Sequence, residues 1–148
     1  EVFKAMKEKG VALCPTLAAG DAISQYFYGW KKGSTPEPAR ITTKKKSFKD
    51  ALAAGVTICM GGDVGVFPHG ENGREMLMMV EYGMKPIGVL RSATSINATT
   101  FGYGDKIGSL KKGMLTDMVA VKGDPSLDIK NGKLVEFVMK DGRTYVSK

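Results

Sequence analysis

The apolar positions change their spacing several times along the chain, and each change marks an element. In VFKAMKEK, residues 2–9, Phe3 and Met6 stand three apart among four lysines and glutamates, and Gly10 follows. That spacing predicts a short amphipathic helix stopped by glycine. VALC, residues 11–14, is apolar without interruption and runs into Pro15, as a buried strand does. Residues 38–54 return to helical spacing through Ile41, Phe48, Ala51 and Leu52, with Gly55 at the end. VTICM, residues 56–60, is a second uninterrupted apolar strand. A helix is predicted over 71–82, with Met76, Leu77, Met79 and Val80 inward and Gly83 as its cap. Pro86 suits the first turn of another helix reaching Ala93, and a shorter helical piece follows over 95–100.

Two fully apolar strands joined by a helix indicate a parallel sheet covered by helices, rather than a sheet with one wet face. The pattern then changes. MVAV (118–121) and LVEFVM (134–139) read as strands, and Asp141-Gly142 is a hairpin turn into RTYVS. This small β segment is too short to close a core alone. Residues 15–37 show no clear period and carry Gly, Pro and Ser around Tyr26, Phe27, Tyr28 and Trp30. They are expected to form an irregular loop. Its aromatics either line a pocket or pack the loop down.

Composition narrows the picture little. The 148 residues are 43% hydrophobic and 25% charged, which suits an ordinary globular chain. The chain opens at Glu1 directly on a helical pattern, so a fragment or a processed chain is expected. Net charge is +7, and the densest basic run is Lys44, Lys45 and Lys46. No aromatic residue interleaves with that run as a base-stacking groove requires, so a solvated helix face is expected and nucleic acid is not. No apolar run approaches the roughly 20 residues of a membrane helix, and no membrane partner is expected. Cys14 and Cys59 lack CxxC spacing and end apolar strands, so both are expected to be buried free thiols in one layer.

Candidate chemistry gathers after VTICM, in GGDVGVFPHGENG. Functional groups in parallel α/β folds collect at the C-terminal ends of strands, and Asp63 lies at one. A carboxylate there needs a cation or hydrogen-bond donors to offset its desolvation. Asp63 is therefore a candidate metal ligand or general base, or simply a turn cap. His69, the chain's one histidine, is a candidate for binding metal or substrate, or for capping the helix that follows. No HxH or HExxH pair, no Ser–His–Asp arrangement and no phosphate-binding loop occurs.

Three stretches together carry a resemblance: GVTICMGGDVGVFPHGENGREMLMMVEYGM, LRSATSINATTFGYGDKIGSLKKGMLTDMVAVKGDP and VEFVMKDGRTY. They resemble the C-terminal part of metal-dependent amidohydrolases, in the prolidase-like and imidazolonepropionase-like branch that includes Xaa-Pro and Xaa-Arg dipeptidases. The resemblance implies an α/β fold: the C-terminal portion of a (β/α)8 amidohydrolase barrel over residues 1–102, and part of a small β-sandwich domain over 103–148. VALC becomes the seventh barrel strand and VTICM the eighth. Asp63 takes the position of the aspartate that binds the catalytic metal and shuttles a proton from the attacking water to the leaving amine. One or two zinc ions are implied as cofactor, with ligands mostly outside this chain. His69, Tyr26 and Tyr28 become substrate contacts at the same mouth, and Gly62 replaces the Thr or Ser common before the aspartate, which is expected to loosen it. The family's first-strand His-x-His, its middle-strand lysine or acid and its two later histidines are absent.

The implied function is metal-dependent hydrolysis of a peptide or amide bond in a small substrate such as a dipeptide, by a longer protein that supplies the N-terminal part of the barrel. The chain alone is expected to be inactive, and its open strand edges predict self-association as a homo-oligomer. Lactone opening or deamination on the same aspartate, and a non-catalytic basic interaction module, are the alternatives. Nothing in the sequence points to a compartment.

Overall fold

The computed structural model describes all residues from Glu1 to Lys148. Its contacts divide the chain into two compact units, Glu1–Met84 and Lys85–Lys148. No helix is long and apolar enough to cross a membrane.

The first unit holds α1 (Val2–Glu8), α2 (Leu17–Tyr26), α3 (Ala39–Ala54) and α4 (Gly73–Glu81). The two apolar segments lie side by side and parallel, meeting at a bridge between Leu13 and Ile58. Leu13 N–H donates to Thr57 O and Cys59 N–H donates to Leu13 O, each at 2.9 Å. Pairing and direction agree with the apolar pattern, although regular ladder is confined to that one bridge. Val56 and Ile58, on the face shared with Leu13, are buried, as are Ile41, Phe48 and Ala51 of α3.

The irregular loop expected over 15–37 is a correction. Its first half is α2, ten residues long. Leu17, Ala18, Ala19, Gly20, Asp21, Ala22 and Ser24 are all buried there. These small side chains let α3 and α4 pack closely, so tertiary contact orders a segment whose local pattern is weak. The helix expected over 71–82 runs from Gly73 to Glu81. Its buried face is Glu75, Met78, Met79 and Tyr82, spaced i, i+3, i+4, i+7. Met76, Leu77 and Val80 are only half-buried.

The second unit begins with α5 (Pro86–Arg91), which continues through a π-helical turn at Ser92–Ile96 into α6 (Asn97–Thr100). The two helical pieces expected here are thus one run. Gly108 explains part of the following motif. A Cβ there would lie 2.7 Å from Ala98 Cβ and 2.9 Å from Thr94 O, so only glycine lets the chain pass the π turn that closely. Beyond it, β1 (Met118–Val121), β2 (Val135–Lys140) and β3 (Arg143–Ser147) form an antiparallel sheet in the order β1-β2-β3. Asp141 and Gly142 both have positive φ, 49° and 71°, as the Asp-Gly hairpin signal requires.

Candidate active site

Beyond Ile58 the second apolar segment leaves the bridge through Cys59 and Met60 and turns at Gly61-Gly62-Asp63. Asp63 is exposed and adopts φ +58°, the left-handed region. Aspartate tolerates that region better than most residues, but it still costs conformational energy, and such residues cluster at functional sites. The turn aims the Asp63 carboxylate away from the core at the end of the parallel pair.

Gly62, expected to loosen this turn, stands where there is little room for a side chain. A Cβ at Gly62 would sit 3.2 Å from Phe67 Cζ, 3.5 Å from Glu75 Cβ and 3.8 Å from Ala18 Cβ. At this glycine the turn passes close to α2 and α4.

Glu75 is the residue that ties these parts together. It is fully buried, at 0% exposure. Its Oε1 accepts from Leu17 N at 3.0 Å and its Oε2 from Ala18 N at 2.6 Å. These are the first N–H groups of α2, which lack intrahelical partners. The N-cap residue of α2, Thr16, makes no side-chain cap bond and is itself left-handed at φ 46°. A distant carboxylate therefore does the capping, on the helix end that favours negative charge. Burial pushes the Glu75 carboxyl above its ordinary range; the two N–H donors and the charge of Lys44 pull it back without outweighing burial.

Lys44 holds the other side of the same loop. Its Nζ donates to Thr16 O at 2.7 Å, Thr16 Oγ1 at 3.2 Å and Pro15 O at 3.4 Å. This corrects the expectation that Lys44 belongs to a solvated face: it is half-buried, unlike exposed Lys46. Burial lowers its pKa, Glu75 and Asp63 both pull it upward, and Arg40 adds to the lowering.

The remaining candidates are less gathered. His69 is exposed in the turn before α4. Tyr26 ends α2, and its hydroxyl accepts from Arg74 Nη1 at 3.1 Å. Arg74 lies 5.6 Å from the Tyr26 ring and 5.7 Å from the Phe67 ring. It also forms an ion pair with buried Asp21, its Nε donating to Asp21 Oδ2 at 3.1 Å. Burial pulls the guanidinium down, but the bonds to Asp21 and Tyr26 outweigh it and raise its pKa. Tyr28 projects outward, 73% exposed. Cys14 is a further correction: Cys59 is buried as expected, whereas Cys14 is exposed.

These residues do not by themselves fit a metal centre. No group of three or more His, Cys, Asp or Glu side chains could hold an ion. Asp63 can offer one carboxylate toward an ion, and no third ligand joins it.

Residues 1–145 match the amidohydrolase family. The ochratoxinase of Aspergillus niger is 30% identical over 155 residues, spanning 98% of this chain and 31% of its own length. A crystal structure of a Xaa-Pro dipeptidase with methionine bound in its active site superposes with a TM-score of 0.83 at 34% identity, covering 98% of this chain and 37% of that one. A prolidase complexed with N-methylphosphonate-L-proline gives a TM-score of 0.73 at 25% identity, covering 99% of this chain and 37% of that one. The chain thus spans about a third of the length of these relatives. With nearly every residue inside the family match and both units carried in the structural likeness, the chain belongs to the amidohydrolase family.

Proposed function

We propose that the protein to which these residues belong hydrolyses a peptide or amide bond in a small substrate of the dipeptide class. Asp63 accepts the proton of the attacking water and returns it to the leaving amine. The observation that carries this reading is the placement of Asp63: exposed, left-handed, and set at the end of a parallel strand pair. Family membership and the prolidase and ochratoxinase relatives supply the reaction class. The chemistry is metal-assisted, with one or two zinc ions, and Asp63 is the ligand these residues contribute. The other ligands, and the other strands of a (β/α)8 barrel, come from chain outside residues 1–148. His69, Tyr26 and Tyr28 are the side chains we assign to the substrate mouth.

The test uses these residues joined to their upstream sequence, with Xaa-Pro dipeptides, N-acyl amino acids, lactones and aromatic amines as substrates. Asp63→Asn keeps the side-chain shape and removes the base. It is expected to lower kcat/KM on the dipeptides or N-acyl amino acids by about 10²–10⁴-fold. Undiminished hydrolysis by the variant refutes the role of Asp63. Turnover of only lactones or amines moves the protein to a sister reaction. The 148-residue chain alone is expected to hydrolyse none of them.

A further inference from the structure

We propose that Cys14 and Cys59 form a dithiol site for a thiophilic metal or metalloid centre. The register places them together. Leu13 is held between Thr57 O and Cys59 N–H, so Leu13 faces Ile58 and the next residue, Cys14, stands beside Cys59. Side chains alternate along a strand, so both thiols leave the face opposite Leu13 and Ile58. Cys59 is close enough to add to the upward push on the Cys14 thiol. Cys14 is exposed, as is Thr57 on the same face, whereas Cys59 is wholly buried. Gly61, the next residue on that face toward the strand end, brings no side chain over the pair. A Cβ there would stand 3.9 Å from Cys14 Cβ and 4.0 Å from its Sγ.

The geometry favours bridging through a third atom over a disulfide. Neighbouring strands lie about 4.8 Å apart, and parallel partners point their Cα–Cβ bonds the same way. That holds the Cβ atoms beyond the roughly 3.5–4.5 Å a relaxed disulfide needs. Two thiolates on one tetrahedral ion with bonds of about 2.3 Å sit about 3.8 Å apart, which side-by-side cysteines reach by rotating about χ1. Burial, and then the neighbouring Cys59, push the Cys14 thiol upward, which favours its protonated form. A trivalent arsenical oxide needs no prior ionisation. Its As–O bonds break, two As–S bonds form, and the oxygen leaves with both thiol protons as water. No electrons are gained or lost.

Phenylarsine oxide is therefore the probe, added to the purified protein and read by intact mass. The expected result is one phenylarsenic per chain, retained against excess 2-mercaptoethanol and released by 2,3-dimercaptopropanol. Cys14→Ser and Cys59→Ser, each checked by circular dichroism for an unchanged fold, are expected to retain none. The native protein is expected to bind at least tenfold more tightly than the same chain in denaturant, because the strand register pre-arranges the thiols. Loss of the adduct to the monothiol, retention by either serine variant, or equal binding by the unfolded chain overturns the proposal.

Discussion

Removing Glu75 tests the packing argument around Asp63 most directly. Glu75→Ala leaves Leu17 N–H and Ala18 N–H without the acceptors they now reach at 3.0 and 2.6 Å. Hydrogen bonds to charged groups are worth about 1.5–3 kcal/mol each, so the pair contributes about 3–6 kcal/mol before the carboxylate's own desolvation is subtracted. That subtraction is substantial, because burial raises the Glu75 pKa despite two donors and Lys44. A net loss of about 2–4 kcal/mol is expected, near the upper end for single substitutions. Glu75→Gln keeps one acceptor oxygen but turns an amide N–H₂ toward the second donor, and is expected to lose about 1–3 kcal/mol.

Trp30 is the chain's single tryptophan and lies in the same unit, so denaturant unfolding followed by its fluorescence is the assay. The pH dependence gives a second reading. A carboxyl whose folded pKa is raised binds more protons folded than unfolded. Its contribution is full below the ordinary value of 4.5 and is lost as pH rises from there through the folded value. The stability difference between wild type and Glu75→Gln should therefore shrink over that interval and then level off. Stability of Glu75→Ala within about 0.5 kcal/mol of wild type would refute the account of Glu75 as a buried cap, whereas a difference that grows with pH would show the two N–H bonds outweighing burial.

Two further substitutions probe the same unit. Gly62→Ser places a Cβ 3.2 Å from Phe67 Cζ, and the overpacking is expected to cost about 1–3 kcal/mol in the same unfolding assay. Arg74→Ala leaves Asp21, 1% exposed, without its counter-charge, with Gln25 Nε2 as the donor remaining to Oδ2 at 2.7 Å and Oδ1 already unpartnered; a loss of about 3 kcal/mol is expected, lowering the melting temperature.

The parallel pairing and the Asp-Gly hairpin were legible because each depends on a short local signal: an uninterrupted apolar run, and a dipeptide that accepts positive φ. The α2 helix was not, because its residues are small and give no strong period. Its stability comes from α3, α4 and a cap supplied 58 positions away in sequence. Glu75 was hidden by its chemistry, since a charged residue is read as outward. The signal was nonetheless present: counting back from Met78, Met79 and Tyr82 at helical spacing lands on position 75. Lys44 was hidden similarly, inside a run of three lysines of which Lys46 is solvated. Asp63 could be picked out from its place after an apolar run, but neither its left-handed backbone nor the tight packing at Gly62 is displayed by a local pattern.

That packing bears on how Asp63 is held. The turn at Gly62 rests on Phe67, Glu75 and Ala18; Glu75 fixes the start of α2; Lys44 fixes the loop before it and feels the charge of Asp63. Every one of these supports lies within Glu1–Met84. The unit therefore carries its own means of fixing the Asp63 turn, even though it cannot assemble a metal centre. These contacts fix the backbone of the turn and leave the exposed Asp63 side chain free of packing, so the ordering cost of completing the proposed site falls on that carboxylate and on the groups that join it.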